Sequence, residues 1–418
     1  MTRQLTGNTL ILLANNIGSA GLAFLISVII GRGLGAGGLG QYAFIMAWIA
    51  PLVALADFGM GSLITRDVAQ NPECALPTLR TATRVLLPIA GTILIFTWAV
   101  VPFLGVAPVV AIALPITAVL IILDPWYGLY TALFRAFQWM WPILVINVGG
   151  LALQLIFTAL AVYGGAGLIG VAVVLAGINI VQLIATWVLW RTRGPLVNRS
   201  GLADSPALGV RDVLSRAWPF ALAAVLNALQ LRLNVLLLEH LSGDVAVGLY
   251  AAANRFVEGG RLVPGALFGA LFPLLASLAS VPDKMRQTFL KVAGLILAFA
   301  VIFGLSMTLF GGWLIHLTYD ARGAGFAGAT PVLTVLAWSL VPALLRAVLT
   351  LYLYSLGREQ FVNVVTVVAL VAQAFLGWIM IGQWGAIGAA LTVGVVEGGT
   401  ALWFALAVRL VRIAPQSP

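Results

Sequence analysis

Hydrophobic residues run along this chain in long unbroken blocks, without the strict alternation of a half-buried strand or the narrow apolar stripe of a surface helix. Apolar blocks closed by Gly, Pro or charged residues recur at roughly 9–31, 40–63, 81–104, 107–133, 141–163, 167–190, 217–240, 248–280, 288–311, 327–355, 360–381 and 386–410. A helix rises ~1.5 Å per residue, so each block is long enough to cross a hydrocarbon layer of ~30 Å. The pattern predicts an all-α polytopic membrane protein with twelve transmembrane helices. The eighth and tenth blocks are overlong, which predicts that they tilt, kink near Pro264 and Pro342, or run past the interface. Asn15 and Asn16 interrupt the first block and no small-residue cleavage site follows it, so it reads as a retained helix and not a signal peptide.

The longest break, Arg191 to Trp218, carries Pro195, Ser200, Gly201, Ser205, Pro206 and Gly209. It divides the chain into an N-terminal lobe at 1–190, a linker at 191–216 and a C-terminal lobe at 217–418. The two halves echo one another. Asn8, Asn15 and Ser19 share a face of the first helix, as Asn227, Gln230 and Asn234 do in the seventh. Gly167-Leu168-Ile169-Gly170 opens the sixth block, and Gly385-Ala386-Ile387-Gly388 opens the twelfth. Repeats with an even helix number insert in the same orientation, and parallel repeats of this kind suit alternating access around a central cavity.

Composition excludes most other classes. Hydrophobic residues make up 62% of the 418, charged residues only 8%, and mean hydropathy is +1.08. Soluble domains average about a quarter charged residues. The net charge of +9 is a topology signal and no nucleic-acid footprint. With the N-terminus in the cytoplasm, the basic residues flanking the spans fall on the cytoplasmic side except Arg32 and Arg322. Both termini are therefore expected in the cytoplasm. Cys74 is the single cysteine and His240 and His316 the two histidines, so neither a metal site nor any other cofactor is expected.

Candidate chemistry lies in charges within the spans, where an ionised side chain costs roughly 2.5 to 3.5 kcal/mol at a helix centre. Arg255, Glu258 and Arg261 are three apart in the eighth helix, so Glu258 can pair with either arginine. The group is either a salt bridge that offsets its own cost or, through its surplus positive charge, an anion site. Arg232 and Asn234 lie on nearly opposite faces, and Arg232 either lines a cavity or snorkels to the external interface. Arg346 lies mid-span near Pro342. Asp57 and Arg66 are read as an interfacial pair. Asp124, before Pro125, and Glu397, between Gly394 and Gly398, are candidate ion-coupling or structural carboxylates. The Gly-rich run Arg32 to Gly40 has no preceding strand and reads as a flexible external turn.

Arg32-Gly33-Leu34-Gly35, Gly40-Gln41-Tyr42, Asp57-Phe58-Gly59 and Arg66, with Gly248-Leu249-Tyr250-Ala251-Ala252-Ala253-Asn254-Arg255, Pro264 and Phe272-Pro273, resemble bacterial polysaccharide transporters of the O-antigen flippase type. That family lies within the multidrug, oligosaccharidyl-lipid and polysaccharide exporter superfamily. The resemblance implies two six-helix lobes around a V-shaped cavity lined by helices one, two, seven and eight. It also implies an oligosaccharide on polyprenyl diphosphate as cargo, with Arg255 especially holding the diphosphate. Members often carry an aspartate where this chain has Asn234, which weakens an ion-coupling role there.

The expected function is therefore a flippase for lipid-linked oligosaccharide in the bacterial cytoplasmic (inner) membrane, serving surface polysaccharide synthesis, and not an enzyme. Its substrate-binding candidates are Arg255, Arg261, Arg232, Arg346, Asn15, Asn227 and Asn234. Membrane lipids, an H+ or Na+ counter-ion and a polysaccharide polymerase machinery are the expected partners. Two other readings stand: a cation-coupled drug antiporter on the same fold, which predicts a carboxylate-dominated cavity, and a membrane glycosyltransferase or polymerase.

Overall fold

The computed structural model describes residues 2–194, 209–277, 282–320 and 323–411. Their secondary structure is helical: α1 Thr2–Asp57, α2 Met60–Gln70, α3 Ala75–Val100, α4 Pro108–Thr117, α5 Leu120–Ala136, α6 Trp141–Tyr163, α7 Gly167–Arg193, α8 Val210–Ser277, α9 Pro282–Ile315, α10 Ala329–Ser355 and α11 Glu359–Val411. Large apolar side chains stay exposed along these helices, among them Ile95, Phe96, Leu160, Ile184, Leu309 and Val371. Such a surface is stable only against lipid. The protein is a multi-pass membrane protein.

Nine helical stretches among the described residues are long and apolar enough to cross a membrane. Three of them, Gly7–Gln70, Val210–Leu262 and Glu359–Arg409, hold 64, 53 and 51 residues. At ~1.5 Å per residue each would extend more than ~75 Å if straight, over twice the hydrocarbon thickness. The helices α1, α8 and α11 running through them each contain one glycine with non-helical backbone: Gly35 (φ 72°), Gly243 (φ 78°) and Gly385 (φ 55°). Only glycine takes these angles without strain. The connections expected as loops between helices one and two, seven and eight, and eleven and twelve are thus single-glycine breaks. α8 leaves helical geometry at Gly243, ahead of Pro264, and α10 continues as helix through Pro342. In the fourth block the interruption falls at Ala118 and Val119, between α4 and α5.

Two compact units divide the chain: Met1–Leu34 with Phe44–Arg232, and Gly35–Ala43 with Leu233–Pro418. In the first unit, Asn147 of α6 donates to Asn15 Oδ1 at 3.0 Å and to Ser19 Oγ at 3.1 Å. A Cβ on Gly33 would sit 2.0 Å from Val162. Pairing Asn15 with Asn147 and Gly33 with Val162 means that the start of α1 runs parallel to α6. Phe58 (φ 47°) and Gly59 (φ 72°) then break the chain before α2. A Cβ on Gly59 would stand 2.7 Å from Ala221 N and 2.9 Å from Ala217 O, so glycine lets this turn lie directly on the α8 backbone.

The second unit contains a tighter crossing. A Cβ on Gly40 would fall 1.8 Å from Asp244 O, and one on Gly248 would fall 1.8 Å from Ala36 O. Gln41 donates to Asp244 Oδ2 at 2.8 Å, and Ala36 N donates to Ala324 O at 3.2 Å. The Gly-rich run read as a flexible turn is therefore packed backbone to backbone. Beyond α9 come a π turn at His316–Asp320 and, after it, Ala324, whose carbonyl takes the Ala36 bond. Phe326 N donates to Asp320 Oδ1 at 3.0 Å, and Tyr319 and Phe326 are fully buried with ring centroids 5.1 Å apart.

Gly248→Ala and Gly40→Ala should each lower the thermal stability of detergent-solubilised protein or abolish the folded peak, because a backbone carbonyl has no rotamer by which to yield. Gly91→Ala, in α3 with open space around it, should be neutral or stabilising by about 0.5–1 kcal/mol. Equal melting curves for all three variants would contradict the close approach.

Candidate functional site

Arg255 and Arg261 are the focus of the second unit. Arg255 lies twelve residues past Gly243 and Arg261 eighteen, or ~18 and ~27 Å along the helix axis. Arg255 is thus near mid-membrane if the Gly243 break marks one membrane boundary. Glu258 takes Arg255 Nη1 on Oε2 at 2.8 Å and Asn254 Nδ2 on Oε1 at 2.9 Å. Both carboxylate oxygens are engaged. Of the two pairings open in the sequence, the structure makes Arg255 to Glu258, and Arg261 has no ion pair among the described residues. The group keeps a surplus positive charge, with side chains 29% exposed for Arg255 and 39% for Glu258. It is accessible and cationic, and a phosphate oxygen can compete for the guanidinium.

Arg346 and Glu397 are brought together instead of acting apart. Arg346 Nη2 donates to Glu397 Oε1 at 3.2 Å, and Arg346 Nε faces Oε2. The small faces of α11 permit this: a Cβ on Gly394 would touch Ser339 at 3.4 Å, and one on Gly398 would touch Pro342 at 3.8 Å. α10 and α11 therefore approach closely at the level of the pair. Asn234 is also enclosed, 2% exposed, donating to Ala389 O at 3.3 Å and accepting from Gln373 at 3.2 Å. In this structure it links helices within its unit. Arg232, two residues earlier, is half-buried and forms no ion pair among the described residues, consistent with its place on the other side of the helix.

The first unit changes one pairing. Arg66 pairs with Asp67 at 3.0 Å, not with Asp57, and Arg216 reaches the other Asp67 oxygen at 2.8 Å. On a regular helix nine positions put Asp57 and Arg66 on opposite faces and ~13.5 Å apart along the axis, too far to pair, and Asp67 beside Arg66 takes the guanidinium instead. Asp57 instead lies beside Gly61 and Gly128, its Oδ1 3.7 and 3.6 Å from where a Cβ on each would stand. Gly128 is one turn after Asp124 on α5, so the two carboxylates share a neighbourhood, and neither has an ion pair among the described residues. Asn15 is engaged by Asn147, whereas Asn227 is exposed without a described partner. No group of three or more His, Cys, Asp or Glu suited to a metal ion occurs among the described residues.

Sequence reasoning missed Asn147, Gln373 and Asp67. The first two are amides inside apolar runs, and that setting was the available signal. Each unit uses one of them to tie a pair of parallel helices: Asn15 with Asn147, and Asn234 with Gln373. Part of the polar stripe expected to face a cavity is thereby used up inside the units.

Comparison with known families places this arrangement. Residues 5–279 match the model of a family described as polysaccharide biosynthesis protein. The chain belongs to the polysaccharide biosynthesis protein family. Among solved structures this family member shares its fold with an inward-facing multidrug resistance MATE family transporter of the MOP superfamily: 16% identity, 97% of this chain and 99% of that one, TM-score 0.79. It is also similar to the lipid II flippase MurJ in an inward closed conformation, at 14% identity, 96% and 87% coverage and TM-score 0.76. A third similar structure is a MOP superfamily transporter from Pyrococcus furiosus Vc1, described by a reverse polarity of its binding pocket, at 15% identity, 98% and 96% coverage and TM-score 0.66. Among curated proteins, none matches the chain. The resemblance read from the sequence holds at the level of family and fold.

Removing one member of the Arg346 and Glu397 pair leaves a buried charge without a partner, which costs about 3–5 kcal/mol in a fully buried pair. Arg346 is 26% exposed, so Arg346→Ala or Glu397→Ala should fall toward the lower end. Replacing both with apolar residues, Arg346→Met with Glu397→Leu, should recover much of the loss. Thermal unfolding of the four proteins tests this, and a double variant as unstable as the sum of the singles would contradict the pairing.

Proposed function

We propose that this family member moves an oligosaccharide carried on polyprenyl diphosphate between the leaflets of the bacterial cytoplasmic membrane, for surface polysaccharide synthesis. The observation that carries the reading is the surplus positive charge of the Arg255, Glu258 and Arg261 group on α8. Arg255 has one carboxylate partner, Arg261 has none described, and the two stand ~9 Å apart along the helix axis. A lipid diphosphate crossing hydrocarbon needs cations at successive depths, and planar guanidinium groups pair with phosphate in bidentate fashion. The sugar-bearing lipid would be held by its phosphates, while its polyprenyl tail stays in the bilayer.

In this reading the single-glycine breaks make twelve crossings of the nine apolar stretches, in two six-helix lobes at 1–190 and 217–418, with both termini in the cytoplasm. Arg232 would add to the cationic path. Asn15, Asn227, Asn234 and Arg346 would shape the lobes around the cargo, three of them through the packing described above. Alternating access by the lobes would carry the cargo across, with a proton or sodium ion as counter-ion at Asp57 and Asp124. A polysaccharide polymerase would receive the product.

A second reading, a cation-coupled drug antiporter, draws on the same pair Asp57 and Asp124, carboxylates without a described ion pair in a fold shared with a multidrug transporter. The arginines of the second unit weigh against a cationic cargo.

The Arg255→Ala/Arg261→Ala double variant, expressed in a strain lacking the native copy, should reduce surface polysaccharide at least tenfold while its membrane level stays normal. Arg255→Lys should be intermediate, since lysine keeps the charge but loses the planar fork. Full export by the double variant would overturn the diphosphate site. Protection against cationic dyes, lost in Asp57→Asn, would favour the antiporter instead.

A further inference from the structure

One end of the first unit holds a feature that transport does not use. α3, α5 and α7 enclose a cavity of about 830 Å³. Four guanidinium groups line it: Arg80 and Arg84 from successive turns of α3, and Arg191 and Arg193 from the last turn of α7. All four are exposed, and none has an ion pair among the described residues. No carboxylate is among the residues lining the cavity. Four like charges around one space repel one another, and an anion placed among them removes that repulsion.

The remaining walls say which kind of anion. Trp126 and Tyr130 of α5 and Trp187 and Trp190 of α7 line the same cavity. The Arg191 guanidinium lies 4.8 Å over the Trp187 ring, which holds one face of the cation and leaves its donor edge free. Trp190 is held in turn by Phe134 and Phe137, at ring-centroid distances of 6.0 and 5.8 Å. The basic side chains thus stand on a fixed aromatic frame. Ile184, Trp187 and Val188 continue along α7 as an exposed apolar track, 54%, 41% and 42% exposed. Tryptophan beside arginine is the composition of a membrane interface.

We propose that this cavity binds the phosphate of an anionic lipid headgroup, with the guanidinium groups on the phosphate and an acyl chain along the α7 track. The volume is far larger than a free phosphate needs and lies within the ~300–1,000 Å³ range of ligand pockets. The apolar track has no use for a soluble anion. The site lies wholly within the first unit and does not depend on the flippase reading.

Purified full-length protein in a neutral detergent provides the test. Phosphatidylglycerol, phosphatidylcholine and inorganic phosphate are titrated separately, read by thermal shift and by native mass spectrometry. Phosphatidylglycerol should raise the melting temperature and remain bound, and Arg80→Gln/Arg84→Gln should weaken it at least tenfold. Arg191→Gln, a milder change at the rim, should weaken it several-fold, while Arg409→Gln, in α11, should bind as the native chain does. Should the double variant fail to fold, the Arg191→Gln comparison decides alone. Equal effects of phosphatidylcholine, or undiminished binding by the variants, would overturn the site. Saturation by inorganic phosphate at the same concentrations would overturn the lipid source.

Discussion

An ionised side chain inside hydrocarbon must be neutralised by a neighbour, reached by water or matched by a ligand, and this constraint sorts the polar residues of the whole molecule. Arg346 and Glu397 neutralise one another where α10 and α11 approach. Asp67 is matched by two arginines, Arg66 and Arg216. Buried threonines such as Thr97, Thr117, Thr392 and Thr400 return their hydroxyls to the carbonyl four residues back. After those residues are accounted for, the part of α8 beyond Gly248 still carries two guanidinium groups, Arg255 and Arg261, against one carboxylate, Glu258. That residue of charge is what gives the chain a claim to an anionic cargo.

Glycine supplies the second constraint. At Gly40, Gly248 and Gly59 a Cβ would overlap neighbouring backbone, so the chain crosses itself at the shortest distance a polypeptide allows. The motifs that carry the family resemblance are largely these positions. Gly40-Gln41 and Gly248 meet at one crossing, and Asp57-Phe58-Gly59 forms the turn that starts α2 against α8. Much of the recognisable sequence signature is therefore a record of backbone geometry. Arg255 is its clearest member with chemistry to offer.

The fold was legible because a bilayer leaves few choices: apolar blocks of the right length must be helices. The apolar blocks fall on helical stretches, with ends up to seven residues away, but the connections between them were not found. Periodicity cannot distinguish a loop from a helix broken at one glycine, which is why Gly35 and Gly243 read as loop residues and Gly385 as the opening of a separate helix. The site was legible in part. Arg255 and Glu258 share a helix, and their spacing alone brought them together. Arg346 and Glu397 come from different helices, 51 positions apart, so no local pattern could pair them. The Asp57 and Arg66 pairing failed because nine positions separate the two on the chain while Asp67, next to Arg66, takes its guanidinium. Asn234 read as cavity lining because its partner Gln373 lies 139 positions away.

The central claim concerns the cargo, and reconstitution tests it most directly. Purified protein in sealed vesicles is given an oligosaccharide on polyprenyl diphosphate, labelled on the sugar, and exposure at the opposite leaflet is followed with a membrane-impermeant lectin or oxidant. The account predicts transfer of the intact molecule, dependent on the protein and inhibited by excess free polyprenyl diphosphate but not by cationic dyes. Lengthening of the sugar chain without transfer, or movement of the dye in place of the lipid, would contradict it.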